Sequence, residues 1–189
     1  MKRVLFLILF SMSVSLYGQV VTYAKTLPER AWSIGVSPAW HMDRNVILFD
    51  AGGASVALSG GYGLLYSLDV NARYIYFVNG TDYFGVDMQY LVHEARKSYF
   101  SVIGGLHKWD DFGMDLTGLF TFAPQYEYNF SIGLDFDLSF ASELNPRFWV
   151  PLNFGFNINE LVFLYGEYDL PVSERSWGIV AVGANVVLR

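Results

Sequence analysis

From Leu116 to Phe140 the chain reads LTGLFTFAPQYEYNFSIGLDFDLSF, and its side chains change character at almost every step. Even positions carry Leu116, Phe120, Phe122, Tyr126, Tyr128, Phe130, Ile132, Leu134, Phe136, Leu138 and Phe140. Odd positions carry Thr117, Thr121, Gln125, Glu127, Asn129, Ser131, Asp135, Asp137 and Ser139. Successive side chains of a β-strand leave the backbone on opposite sides, so a repeat of two means one apolar and one polar face. Twenty-five residues at roughly 3.3 Å each would reach about 80 Å, far beyond a normal strand. The segment must double back. A two-residue loop would pair positions of opposite parity, whereas a three-residue loop keeps the parity seen here. The reading therefore puts a turn at Asn129–Phe130–Ser131, with Tyr128 opposite Ile132.

The same alternation recurs from about residue 30 to the end. Apolar even positions fall in ten groups: 32–40, 56–66, 70–76, 84–92, 100–106, the two arms of the hairpin, 148–156, 162–170 and 180–188. Turn-forming residues separate them, as at Ser67–Asp69, Asn79–Gly80–Thr81, Glu94–Ser98, Ser142–Pro146, Asn157–Glu160 and Pro171–Arg175. Two longer loops are expected, at roughly 43–53 and at KWDDFGMD (108–115). The count is ten strands of about 9–13 residues; eight would require merging groups into longer strands.

Charge follows the same rule. Away from strand ends, the charged residues inside these groups are Asp69, Arg73, Asp87, Glu127, Asp135, Asp137, Glu167 and Asp169, and every one is odd. Two all-β architectures accommodate such a pattern. A soluble sandwich or ligand-carrying barrel turns the apolar face inward. A transmembrane barrel turns it to lipid and keeps a polar interior. The aromatic residues favour the membrane. Trp32, Tyr66, Tyr90, Tyr126 and Tyr128 fall near one end of the strands, and Trp40, Tyr74, Tyr76 and Tyr168 near the other, as two interfacial girdles would. The odd face is rich in Gly, Ser, Ala, Asn and Asp, unlike a solvated exterior.

The first residues, MKRVLFLILFSMSVSLYGQ, combine a basic start with a short apolar run, which reads as a secretory signal peptide over 1–18, cleaved near Gly18/Gln19. An uncleaved membrane anchor is the competing reading. A short segment, 19–29, would then lead into a barrel over 30–189. Without Lys2 and Arg3 the chain has 10 basic and 18 acidic residues, a net charge of −8, which argues against a nucleic-acid partner. It has no cysteine, hence no disulfide.

These features resemble the small outer-membrane β-barrel proteins of Gram-negative bacteria. APQYEYNFS (123–131) is similar to their short periplasmic hairpins, and SWGIVAVGANVVLR (176–189) to the C-terminal strand that the barrel-assembly machinery reads, although it ends in Arg189 where an aromatic residue is usual. The resemblance implies an all-β, antiparallel up-and-down transmembrane barrel. It also implies outer-membrane lipid and the assembly machinery as partners, with a larger outer-membrane complex as a further one.

Seven carboxylates (Asp69, Asp87, Glu127, Asp135, Asp137, Glu167, Asp169) and one base, Arg73, should line the lumen. Clustered acids draw cations, so a narrow cation- or solute-permeable pore is one expectation. An interior packed with side chains, serving a structural or accessory barrel, is the other. His41, His93 and His107 share the lumen parity, and a His–Asp hydrolase at the rim is conceivable. No serine accompanies them in a catalytic motif. Ligand spacing for a metal is missing, and so is a phosphate-cradling loop. The glycines of GGASVALSGGYG (52–63) are read as easing curvature. No cofactor and no catalytic residue is assigned.

Overall fold

A computed structural model describes residues 23–42, 51–78, 80–109, 111–140, 145–174 and 176–189. The expected signal peptide and most of the 43–53 loop lie outside them. Ten antiparallel strands follow one another: β1 (Trp32–Met42), β2 (Ala51–Leu65), β3 (Leu68–Phe77), β4 (Tyr83–Ala95), β5 (Ser98–Trp109), β6 (Asp111–Phe122), β7 (Tyr128–Ser139), β8 (Asn145–Asn157), β9 (Val162–Pro171) and β10 (Gly178–Leu188). Each pairs with its chain neighbours, and β10 closes on β1 through Trp32↔Leu188 to Met42↔Gly178. Closure leaves no unpaired sheet edge, which is what allows strands to sit in hydrocarbon at all. The count is ten, not eight.

The even face looks outward. Ile34, Leu58, Val86, Met88, Leu116, Phe130, Leu134 and Phe154 are all exposed, while odd-numbered Ala39, Ser101, Leu119 and Ala181 are buried. One face can run round all ten strands only if paired residues share parity. They do, as in Phe122↔Phe130, Ser139↔Asn145 and Asn157↔Phe163. Two connections have only two residues, 66–67 and 96–97, and each would invert the faces. A bulge repairs both. The ladders shift between Gly63 and Leu65 in β2 and between Leu91 and His93 in β4. The second shift carries His93 out of the lumen parity, and its side chain is exposed. The expectation that His93 faces the lumen is corrected accordingly.

Two further expectations change. The hairpin turn lies at 123–127, not at Asn129–Ser131, because Pro124 has no N–H for a ladder and stops the strand. Asn129 is a fully buried, inward strand residue instead. Glu127 consequently sits in the turn, exposed, and does not line the lumen. KWDDFGMD is not a loop either. Pairing runs through Trp109↔Asp111, Lys108↔Phe112 and His107↔Gly113, so β5 and β6 extend to the mouth and Asp115 becomes a lumen residue.

β1 begins and β10 finishes at one mouth of the barrel; this is the terminal mouth and the other is the distal mouth. Before β1, the chain turns sharply over 28–31. Ala31 N–H donates to Pro28 O at 3.0 Å, Arg30 N–H to Gly63 O at 2.8 Å, and Arg30 adopts φ 64°, in the left-handed region. The turn sends Tyr23–Pro28 back inside the wall as an N-terminal strap.

Candidate functional site

The lumen gathers buried charge from several strands. Carboxylates enter it from five strands: Asp69 (β3), Asp87 (β4), Asp115 (β6), Asp135 and Asp137 (β7), and Glu167 and Asp169 (β9). Each is between 2 and 4% exposed, and Arg73 is 6% exposed. Burying ionised groups is costly unless they are paired, and most of these have partners. The Arg73 guanidinium grips Asp87, with Nε 3.1 Å from Oδ2 and a closer contact from the terminal nitrogen. Thr117 donates to Asp135 at 2.5 Å and Asn153 to Glu167 at 3.1 Å. Asp69 accepts from Asn71 at 2.9 Å and from the strap's Leu27 N–H at 2.8 Å. His107 lies between two acids, Nδ1 3.5 Å from Asp115 and Nε2 3.5 Å from Asp137. Tyr83 stacks on the His107 ring and donates to Asp115 at 3.2 Å.

Strand register explains the assembly. One cross-strand row reads Asn71, Asp87, Gly105, Asp115, Asp137, Arg147 from β3 to β8, and the next reads Arg73, Gly85, His107, Gly113, Ser139. The glycines make room. A Cβ on Gly105 would lie 2.1 Å from an Asp87 oxygen and 2.8 Å from an Asp115 oxygen, and one on Gly113 would lie 2.2 Å from His107 Nε2. Gly61, in the glycine-rich stretch, likewise yields space to Asn71. These glycines provide clearance for lumen side chains, a more specific role than easing curvature.

Aromatic residues close the distal mouth. Phe77 stacks on Trp109 at 5.7 Å, and Trp109 and Trp149 meet Trp177 edge-on at 5.5 and 6.0 Å. Trp149 Nε1 donates to Trp177 O at 2.9 Å, and His41 packs on the Trp177 ring. Over this cage lies Arg147, its guanidinium carbon 4.5 Å from the Trp109 centroid and 5.2 Å from that of Trp177. At the terminal mouth the strap does the closing. Between the two closures remains a polar cavity of about 80 Å³, bordered by Ser33, Ser59, Asn71, Arg73, Tyr165 and Asn185.

Seven of the eight charged residues expected in the lumen are there; Glu127 is not. Sequence reasoning missed Asp115, hidden in the supposed loop, and Arg147, set aside as a strand-end charge. It also missed the strap and the cage. A usable signal existed for the cage, since Trp109, Trp149 and Trp177 are odd-numbered whereas Trp32 and Trp40 are even. Of the expected girdle, Trp32, Tyr66, Tyr74, Tyr76, Tyr90 and Tyr126 are 40–67% exposed, and Trp40, Tyr128 and Tyr168 are half-buried. Of the two remaining histidines, His107 is 3% exposed beneath the cage, and His41 is part of it. Among the described residues no group of three or more His, Cys, Asp or Glu is arranged to hold a metal.

Solved structures share this architecture. A KdgM porin superposes with a TM-score of 0.53 at 9% identity, over 83% of this chain and 99% of the porin. An outer membrane channel from Pseudomonas putida F1 gives 0.54 at 9% identity, over 90% of this chain and all of the channel. The chain thus has the fold of outer-membrane β-barrel proteins, and at such identity the likeness is one of fold. No protein-family model matches the sequence, and no curated protein does.

Proposed function

We propose that this chain is exported to the outer membrane and works there as a closed, non-enzymatic barrel, a structural or accessory body within a membrane assembly. One observation carries the reading: the strap, the paired charges and the tryptophan cage stand across the lumen in turn, leaving about 80 Å³ between them and about 560 Å³ beside the strap. An open pore would present hydrated carboxylates to a continuous path, whereas the seven lumen acids here are at most 4% exposed. The outward band of Ile34, Leu58, Val86, Met88, Leu134 and Phe154 supports lipid as the immediate surroundings.

The second reading, a cation- or solute-permeable pore, draws on the acidic interior and on the likeness to a porin and a channel. It requires both closures to move. Reconstitution into a planar bilayer separates the two: the intact chain should add no current steps, and a steady single-channel conductance would overturn the closed-barrel reading. A pull-down from detergent-solubilised outer membrane should then return stoichiometric companion subunits.

A further inference from the structure

The strap is held mainly through its backbone. Four hydrogen bonds link lumen side chains to its main-chain atoms, and one runs the other way, from Thr26 Oγ1 to Tyr66 O at 2.8 Å. Gln89 Nε2 donates to Tyr23 O at 3.0 Å, Thr121 Oγ1 accepts from Ala24 N–H at 3.0 Å, and Ser101 donates to Ala24 O. Asp69 accepts from Leu27 N–H. Groups that read backbone accept any extended peptide of suitable shape, which is how peptide-recognition grooves gain affinity.

Shape adds selectivity at two positions. Ala24 is completely buried against Ile103 and Leu119, where a larger side chain has no room. The Tyr23 ring lies 5.8 Å from both Tyr99 and Phe163, edge-on to the first and stacked on the second. The wall is cut back where the strap passes, since a Cβ on Gly63 would lie 2.1 Å from Pro28 O. The mouth is roomier than its occupant. A further cavity of about 560 Å³ opens beside the strap, bordered by Lys97, Tyr99, Tyr126 and Phe163.

We infer that the terminal half of the lumen is a binding vestibule for an extended peptide carrying an aromatic residue followed by a small one, and that Tyr23–Pro28 is its resident, releasable occupant. A tethered occupant competes at high effective concentration, so a free peptide enters only when the strap is weakened. Ala24→Arg weakens it at the buried point.

The test uses the full-length protein in detergent or lipid and a fluorescent peptide with the sequence of residues 23–28, YAKTLP. Fluorescence anisotropy should report saturable binding to the Ala24→Arg protein about tenfold or more tighter than to the unaltered one. The same peptide carrying Ala24→Trp should lose that binding. The chain has no cysteine, so Ser59→Cys gives a single thiol on the inner cavity. A water-soluble thiol reagent should label it about tenfold faster when Ala24→Arg is also present, because accessible thiols react faster than enclosed ones. If Ala24→Arg fails to fold, the Tyr23→Ala/Thr26→Ala protein removes the strap's own ring contacts and its hydroxyl bond to Tyr66 O, leaves the wall intact for the added peptide, and should move both readouts in the same direction. Equal labelling with and without the strap-weakening change would overturn the releasable occupant. Faster labelling without peptide binding would overturn the peptide site.

Discussion

At the terminal mouth the lumen wall holds the strap by its main-chain atoms, whereas in the distal half side chains of the wall meet one another and the Trp177 segment. The strap adds one segment, anchored by side-chain hydrogen bonds to Tyr23, Ala24 and Leu27. Above it, the Arg73–Asp87 pair joins neighbouring strands, while His107–Asp137 and Trp109–Trp177 tie together parts of the wall that do not pair. The difference teaches which closure is part of the barrel's stability and which can be altered on its own. Disturbing the distal half should weaken the whole barrel; disturbing the strap should leave it folded.

The largest effect should come from Arg73→Met. It leaves Asp87, 2% exposed, without its guanidinium, and breaking a buried ion pair from one side costs about 3–5 kcal/mol. Urea unfolding followed by tryptophan fluorescence would measure it, and a loss below about 1 kcal/mol would mean the distal network is not integral. Next come two matched glycines. Gly105→Ala drives a Cβ into Asp87 and the Val86 carbonyl, for a loss of about 1–3 kcal/mol. Gly63→Ala meets strap backbone instead, so it should displace the strap while leaving the unfolding midpoint nearly unchanged. Equal losses at the two sites would erase the contrast. Arg147→Met keeps the bulk but removes the cation over Trp109 and Trp177, at about 0.5–2 kcal/mol; acrylamide quenching of tryptophan should rise as the cage loosens.

The smallest effect lies outside the lumen. In the turn after β2, the exposed Tyr66 hydroxyl donates to Glu94, and that hydrogen bond, with the carboxylate's charge, raises the phenol above its ordinary value. A folded-state value above the unfolded one means the contact helps at lower pH and is lost as pH rises through the folded value. Absorbance titration should place Tyr66 later than a free tyrosine and return it toward the ordinary value in Glu94→Gln. The unfolding midpoint should not move, because exposed pairs contribute little.

Parity made the barrel legible, since outward apolar and inward polar residues obey one rule through the described strands, apart from the short stretches between each bulge and its turn. Parity does not locate a turn, however, when the loop has an odd number of residues. Around Pro124 the alternation of Phe122, Tyr126, Tyr128 and Phe130 continues unbroken, so the turn at 123–127 left no gap in the pattern. Charge density misled at 108–115, where Asp111 and Asp115 look like loop residues although Phe112 and Met114 keep the outward face. The strap left no trace at all. Its partners, Thr121, Ser101, Gln89 and Asp69, lie far along the chain and belong to four different strands, so only closure of the barrel brings them together.

The two bulges, at Gly63/Leu65 and Leu91/His93, give the barrel something like a reading frame. A two-residue turn pairs positions of opposite parity, so without its bulge the alternation of one flanking strand would slip by a residue and turn its apolar and polar faces round. Each bulge is a correction of one step beside a turn that would otherwise be out of phase. Deleting Val92 should leave Leu91 opposite Ser101 and His93 opposite Phe100 in an unbroken ladder, a regular two-residue hairpin with β5 still in phase. Where a turn is as tight as two residues, an unbroken alternation on both flanking strands comes only in company with a bulge.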